Sequence, residues 1–434
     1  MSKKLNRRQL AIPFLIALIT IESSVDLSFL YGPIVLIFAI FFGEKDGKIY
    51  YLSRKHHGLL IKCLIFMMIS YAFFTLFAII GGSNGGYTYD SVKAFIATVV
   101  FTYFSFALIS KTVDWESSLI IQRNLAIPMA ILGVAETVTR ISITSKILPF
   151  LIAFNNGGYD HNSQFRTSIF WSHPAISATM LLFELIICLY YPFRKTWLQT
   201  MCIICIVVSI YGTKTRSVWI AVAMMLIMFV IDKAKFRPRL RKETLGRIFV
   251  VLAVFILFAV IFRNQLQTMF FTISSYLNLA FDRNNQYVSR VVRVENLKNG
   301  LIYIKNNPLV LLIGNGLGFG NLFSVQHGVT LSYGAVWNAG IDNQYLSVVL
   351  ETGIWGLIPI IIIPIYAFIH YFKSELTSDK VGYLVVVLIA LLGMSFNIFG
   401  WRISTFLYFL GIFMTNGAKK LNGRKKNIRY SSKL

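Results

Sequence analysis

Five cations in the middle of the chain have types and spacing suited to holding a diphosphate. Lys214 and Arg216 lie in the turn Gly212-Thr-Lys-Thr-Arg-Ser217, between two short apolar runs. An arginine presents a planar fork of charge-assisted N–H donors, which matches paired phosphate oxygens. Capping a helix or snorkelling to headgroups is the plainer use of Arg216. Arg166 opens Arg166-Thr-Ser-Ile-Phe-Trp-Ser-His173-Pro174 at the mouth of another apolar run, where it anchors an interface or holds a ligand. His173, placed before a proline, reads as a hydrogen-bonded core residue or as a base. Arg290 and Arg293 fall within residues 289–305, which read as an amphipathic helix. At roughly 100° per residue, Val294, Leu297, Leu301 and Ile304 lie within about 40° of Arg290, so that cation points along the apolar stripe, with Arg293 at its edge. A cation on a buried face is costly unless an anion receives it, and Glu295 projects from a different face. Asp342 and Asn343 open a further apolar helix, where either residue can cap the first N–H groups. Asp342 also shares a face with Leu346 and Val349 and so faces the protein.

The composition says what must position these groups. The chain has 434 residues, 56% of them apolar and 14% charged, with a mean hydropathy of +0.65. A soluble domain cannot hide that much apolar surface, so a cytosolic enzyme, a nucleic-acid-binding domain and a disordered chain are excluded. The expected fold is an all-α polytopic membrane protein. Apolar segments fall near 9–25, 27–43, 58–80, 92–110, 117–135, 168–190, 198–212, 217–232, 248–263, 343–371, 381–398 and 403–417, about twelve spans. The first is read as an uncleaved span, because no convincing small-residue cleavage site follows it. With the N-terminus cytoplasmic, the inside segments carry 27 Lys+Arg and the outside segments 12. That bias satisfies the positive-inside rule, with both termini in the cytoplasm of a multi-pass plasma (inner) membrane protein. It also explains most of the net charge of +24 as topology and attraction to lipid headgroups, without nucleic acid. The expected organisation is one membrane domain over 1–434. It carries a large helical extracytoplasmic loop at 264–341, between spans nine and ten, and a basic cytoplasmic tail at 418–434.

Other features are read as structure. Gly314-Asn-Gly-Leu-Gly-Phe-Gly320 looks like a phosphate-binding loop, but it lacks the Lys-Ser/Thr of a P-loop and a flanking strand–helix unit, so a tight, permissive turn is expected. Arg123 and Glu184 sit at similar depth in spans five and six and are expected to form a buried pair. Cys63, Cys188, Cys202 and Cys205 lie in or beside apolar runs and act as small hydrophobes. The six histidines are scattered, with no metal-ligand spacing, and no internal repeat supports a repeat-built transporter.

With these residues in hand, the chain resembles the O-antigen ligase/polymerase family of bacterial envelope proteins. Three segments carry the resemblance: Arg166 to Pro174; Thr213-Lys-Thr-Arg216-Ser-Val-Trp; and Ser289-Arg290 through Asn307-Pro308, Gly314-Asn-Gly-Leu-Gly and Asp342-Asn-Gln-Tyr-Leu to Glu351-Thr-Gly-Ile-Trp-Gly356. Together they cover residues 160–360. The resemblance implies a membrane glycosyltransferase that moves a glycan from a polyprenyl diphosphate to an acceptor hydroxyl on the outer face, without metal, cofactor or nucleotide sugar. Arg166, Arg216 and Arg290 then clamp the departing diphosphate, where negative charge develops. Lys214, Arg293, His173, Asn343 and Tyr345 complete the implied substrate-binding set. Ligases of the family place a histidine where this chain has Asp342, so the polymerase branch of O-antigen, capsule or exopolysaccharide synthesis is favoured. Asp342 is the first candidate base and His327 the second. Implied partners are the polyprenyl-diphosphate-linked oligosaccharide, membrane lipids, a flippase and chain-length regulators. The remaining readings are a ligase using a lipid or protein acceptor and, from another class, a polysaccharide or lipid transporter.

Overall fold

Inside a bilayer every backbone N–H and C=O needs a partner within the chain, and long apolar runs meet that need as helices. The computed structural model describes residues 7–25, 31–42, 58–81, 85–110, 112–147, 165–171, 173–235, 288–327, 329–330, 336–337 and 341–415. Its elements follow the apolar runs closely. They are α1 (Arg7–Val25), α2 (Tyr31–Phe42), α3 (Leu59–Ile80) and α4 (Gly85–Phe95), which continues through a π-turn (Ile96–Val100) into α5 (Phe101–Ile109). Next come α6 (Trp115–Thr139), α7 (Ile143–Ile147), α8 (Pro174–Tyr190), α9 (Thr196–Gly212) and α10 (Arg216–Lys235). The chain resumes with α11 (Val288–Asn306), α12 (Pro308–Ile313) and α13 (Phe319–Gln326). It ends with α14 (Gln344–Tyr371), α15 (Thr377–Leu392) and α16 (Arg402–Thr415).

The result is a helical membrane protein. By length and composition four stretches can cross a bilayer: Leu59–Ile80, Thr88–Ile109, Trp115–Thr139 and Gln344–Tyr371. Shorter apolar helices accompany them, so the count of twelve spans is not reached among the described residues. At 12 residues, α2 is only about 18 Å long, short of the roughly 30 Å hydrocarbon layer. Expected span nine (248–263), residues 264–287 and the tail 418–434 lie outside the described residues. Two boundaries are corrected. Residues 165–171 and 173 are not helical, because Pro174 starts α8 at its first position. The eleventh apolar run closes as a helix at Leu392, and residues 393–401 form turns.

Burial sorts the helices. Nearly every side chain of α8 and α15 is buried, as expected of helices apolar on all sides. α3 and α14 instead present exposed faces that include Phe66, Ile69, Phe73, Ile358, Ile361 and Ile365. At one end of the bundle the C-terminal ends of α8, α10 and α14 meet the start of α15. There Asp232 pairs with Lys380 at 2.6 Å, and the Tyr190 and Tyr371 hydroxyls share a hydrogen bond. The expected Arg123–Glu184 pair is replaced. Gln122, one residue away on α6, donates to Glu184, while Arg123 turns to the Tyr191 and Pro192 carbonyls, both at 2.9 Å, and lies over the Phe193 ring. The charged side chain reaches the helix end, and a neutral amide enters the core instead.

At the other end, α11–α13 form a small subdomain over the start of α14. Its core joins Val310, Phe319, Phe323 and Ile341 to Leu346 and Leu350 of α14. Residues 288–306, 308–313 and 319–326 of the expected loop are helical, and strands β1 (Val329–Thr330) and β2 (Val336–Trp337) pair antiparallel. The buried face of α11 also differs from the expected stripe. It keeps Leu297 and Ile304 of that stripe and adds Asn296 and Gly300, the latter against Leu346, whereas Leu301 is 52% exposed.

Candidate functional site

Glu136 organises the end of the bundle that carries Arg166. Fully buried near the end of α6, its carboxylate accepts from the Thr144 N–H (3.3 Å), the Thr144 hydroxyl (2.9 Å) and the Ile169 N–H (3.0 Å). The Thr144 hydroxyl also contacts the Ile169 carbonyl. Ile169 has φ +51°, a conformation costly for a β-branched residue, so both sides of this strained peptide are held by the α6–α7 corner. Three residues earlier, the Arg166 guanidinium donates from Nε to the Thr213 carbonyl (3.0 Å) and from Nη2 to the Thr215 hydroxyl (3.4 Å). The Thr167 N–H donates to the Gly212 carbonyl at 2.9 Å, and its hydroxyl meets Thr137 at 2.9 Å. Two of the three segments singled out in the sequence therefore form one surface, the 165–171 stretch and the 212–216 turn. Lys214, at φ +52°, and Arg216, the first residue of α10, are both exposed beside Arg166.

Segment 393–401 joins His173 to the start of α14. His173 caps α8 through Nδ1, which accepts the Ala175 N–H at 3.1 Å. Its ring lies 5.0 Å from Trp401, which stacks on Phe396 at 4.6 Å. The first turn of α14 is tied to the same segment. Asn343 donates to the Met394 carbonyl (3.2 Å), the Gln344 N–H to the Gly393 carbonyl (2.8 Å), and Tyr345 to the Ala390 carbonyl (2.9 Å). Gln344 Oε1 accepts the Phe399 N–H at 3.0 Å. The cap of α14 is Asn343, whose Oδ1 accepts the Leu346 N–H at 3.0 Å. Asp342 stands one position earlier and is half-buried. Asn343 and Tyr345 are thus engaged in holding helices together. His327 belongs to a different packing group, exposed at the end of α13 with its ring on Phe323 (4.7 Å) and Tyr303 (5.9 Å). The backbones of Arg290 and Arg293 lie on α11, and their side chains lie outside the described residues.

The glycine loop behaves as the turn that was expected: Gly314, Gly316 and Gly318 all take positive φ. It also cradles an anion, supplied by the chain itself. Gly353 breaks α14 at φ +63°, which releases the preceding carbonyls. Those of Leu350 and Glu351 accept the N–H groups of Asn315 (2.9 Å) and Gly316 (2.8 Å). The buried Glu351 carboxylate then accepts from the N–H groups of Gly318 (3.2 Å) and Gly320. A Cβ on Gly314 would fall 2.3 Å from the Glu351 backbone, and one on Gly353 would fall 2.5 Å from that of Leu312.

Sequence reading missed three residues. Glu136 was passed over because its partners are tertiary. Arg402, at the start of α16 beside Trp401, was counted only toward topology, although a cation in an outside segment was the very signal followed elsewhere. Asn296 on α11 is 3% exposed, and both its amide atoms lack a hydrogen-bond partner. A polar group left so in a core is costly, and it marks a place where a ligand can contribute the missing bonds.

A helical bundle with Arg166, Lys214 and Arg216 at one end defines a class, a helical membrane protein. Residues 201–361 match the family model described as O-Antigen ligase, which supports the resemblance of the chain to the O-antigen ligase/polymerase family. No curated protein matches the chain. The matched segment contains Lys214, Arg216, Arg290, Arg293, His327, Asp342, Asn343 and Tyr345, together with the Glu351–Gly353 kink. Arg166, His173 and Glu136 lie outside it.

Proposed function

We propose that this protein is a polysaccharide polymerase of that family, transferring a polyprenyl-diphosphate-linked glycan to a hydroxyl of an acceptor repeat unit on the outer face of the plasma membrane. The observation that carries this reading is the contact of Arg166 with Thr213 and Thr215, on the turn that carries Lys214 and leads into Arg216. As the glycosidic bond to the lipid breaks, charge builds on the departing diphosphate, and fixed cations there lower the barrier more than they tighten ground-state binding. Arg290 and Arg293 on α11 would complete the clamp from the overlying subdomain. The acceptor hydroxyl must lose a proton, and Asp342 is the preferred receiver, with His327 the alternative. No metal or cofactor takes part in this scheme. Membrane lipids surround the protein, and a flippase and chain-length regulators are the expected protein partners.

A second reading, a ligase that joins the glycan to a lipid or protein acceptor, is favoured by the description of the matching family model. One experiment separates the two. Purified protein is given polyprenyl-diphosphate-linked repeat units, alone and with an added lipid acceptor. Longer chains without the acceptor support the polymerase, and products that need the acceptor support the ligase. Unchanged units in both arms point to the transporter reading or to no activity. Arg216→Ala and Arg166→Lys should insert normally, and each should slow lengthening by about tenfold or more, since loss of one fixed donor to a developing anion typically costs about 10²–10³ in rate.

A further inference from the structure

We propose that residues 308–318 are a re-entrant element. In this proposal α12 lies within the acyl layer of the leaflet nearest the arginine site, with Leu309, Leu311, Leu312 and Ile313 against lipid chains. The sequence places this segment in an aqueous outer loop, and three observations move it into the membrane.

Its neighbours set its depth. Leu312 and Ile313 pack on the backbone of Gly353, nine residues into the apolar span Gln344–Tyr371 and so about 14 Å along it. Leu317 donates its N–H to the Thr75 hydroxyl at 3.2 Å, and Gly316 sits against Ala78 and Thr75. Thr75 is five residues, about 7 Å, short of the end of α3 at Ile80. Two spanning helices thus place the segment below their own ends.

Its outward side chains fit lipid. Only Val310 of the four leucine and valine residues in α12 is buried, in the small core under the subdomain, while Leu309 is 67% exposed. The exposed apolar surface does not stop at α12. It continues through Ile354, Trp355 and Ile358 of α14, and the neighbouring end of α3 carries Leu76, Phe77, Ile79 and Ile80, the last 84% exposed. That surface is the face by which these helices meet the bilayer.

Its backbone donors meet the condition lipid imposes. Non-helical chain at membrane depth is tolerated only where its polar groups find partners in protein. From Gly314 to Phe319 six consecutive N–H groups do so, donating in turn to the carbonyl oxygens of Val310, Leu350 and Glu351, the Thr75 hydroxyl, the Glu351 carboxylate and the Gly316 carbonyl. An ordinary aqueous loop has no need of so complete an account, because water would serve.

This inference does not depend on the proposed activity. Its test is a depth measurement on the full-length chain in vesicles of phosphatidylethanolamine and phosphatidylglycerol. An environment-sensitive fluorophore is attached at Leu312→Cys and, separately, at Lys298→Cys on the exposed side of α11, with the four native cysteines replaced. The label at 312 should be quenched several-fold more by acyl-brominated lipid than the label at 298, and aqueous iodide should show the reverse order. Equal iodide quenching at both sites would overturn the proposal. So would self-quenching at 312 that disappears when the protein is diluted in lipid, which would mark a contact between copies. If the cysteine-free chain fails to fold, a benzophenone amino acid at position 312 of the otherwise native chain gives the same reading. Adducts with acyl chains support the element, and dimers or a lack of adducts reject it.

Discussion

Glu136 and Ile169, 33 residues apart in sequence, are joined by a 3.0 Å hydrogen bond from a strained backbone N–H to a buried carboxylate. The bond holds the stretch that carries Arg166 against the α6–α7 corner. Glu136→Ala would leave the Thr144 and Ile169 N–H groups buried without acceptors, at about 1–3 kcal/mol each, so a clear fall in thermal stability in detergent is expected. Glu136→Gln keeps an acceptor for one of them and should fall between. If Glu136 positions Arg166, the Gln variant will also weaken diphosphate-lipid binding at temperatures where it remains folded, and Arg166→Ala will remove that difference.

Asn296 gives the opposite combination. Its amide is buried and unpartnered, so Asn296→Leu should leave stability unchanged or raise it by about 1 kcal/mol, as expected when a buried polar group without partners becomes apolar. If the amide is there for a bound glycan, the same variant will lose lengthening activity. A variant that melts higher and works normally would make Asn296 a structural accident.

The far end of the bundle makes a stability prediction free of catalysis. Asp232 and Lys380 are paired at 2.6 Å, with side chains 2% and 10% exposed. Lys380→Met strands the aspartate and should cost about 3–5 kcal/mol, whereas Asp232→Leu with Lys380→Met should recover most of the loss. Unfolding of these two variants and of Asp232→Leu alone in detergent closes the cycle. A double variant no better than the single one would mean the pair contributes beyond neutralising itself.

The sequence made the helices legible because the bilayer imposes a length. The run read at 58–80 is α3 at Leu59–Ile80, and the run read at 343–371 is α14 at Gln344–Tyr371. Depth is a one-dimensional property, and Arg123 and Glu184 were correctly judged level with each other. Their facing directions depend on helix rotation, and there Gln122 takes the partner expected for Arg123. The glycine loop shows the same limit from the other side. Its spacing signalled a tight turn, which it is, but not that the turn would hold the Glu351 carboxyl, brought to it by the kink at Gly353 where α12 packs. Arg166 and the 213–216 turn were legible as cations out of place, but their contact depends on a peptide strained at Ile169, which no periodicity encodes.

His173 is the residue for which structure and resemblance pull apart, and a conservative change separates them. Its Nδ1 is committed to the Ala175 N–H, and its ring to Trp401. A side chain in that position behaves as an N-cap, for which asparagine is an equal and leucine is not. His173→Leu should therefore destabilise the protein by about 1 kcal/mol, while His173→Asn should unfold within a few tenths of the parent. If capping is the whole of its role, the Asn variant will also lengthen glycans at the parental rate with the same pH profile. A stable Asn variant that binds substrate yet no longer extends it would move the base from Asp342 to His173, because the cap is kept, its stability shows that losing the Trp401 contact is tolerated, and the imidazole's proton exchange is what is missing.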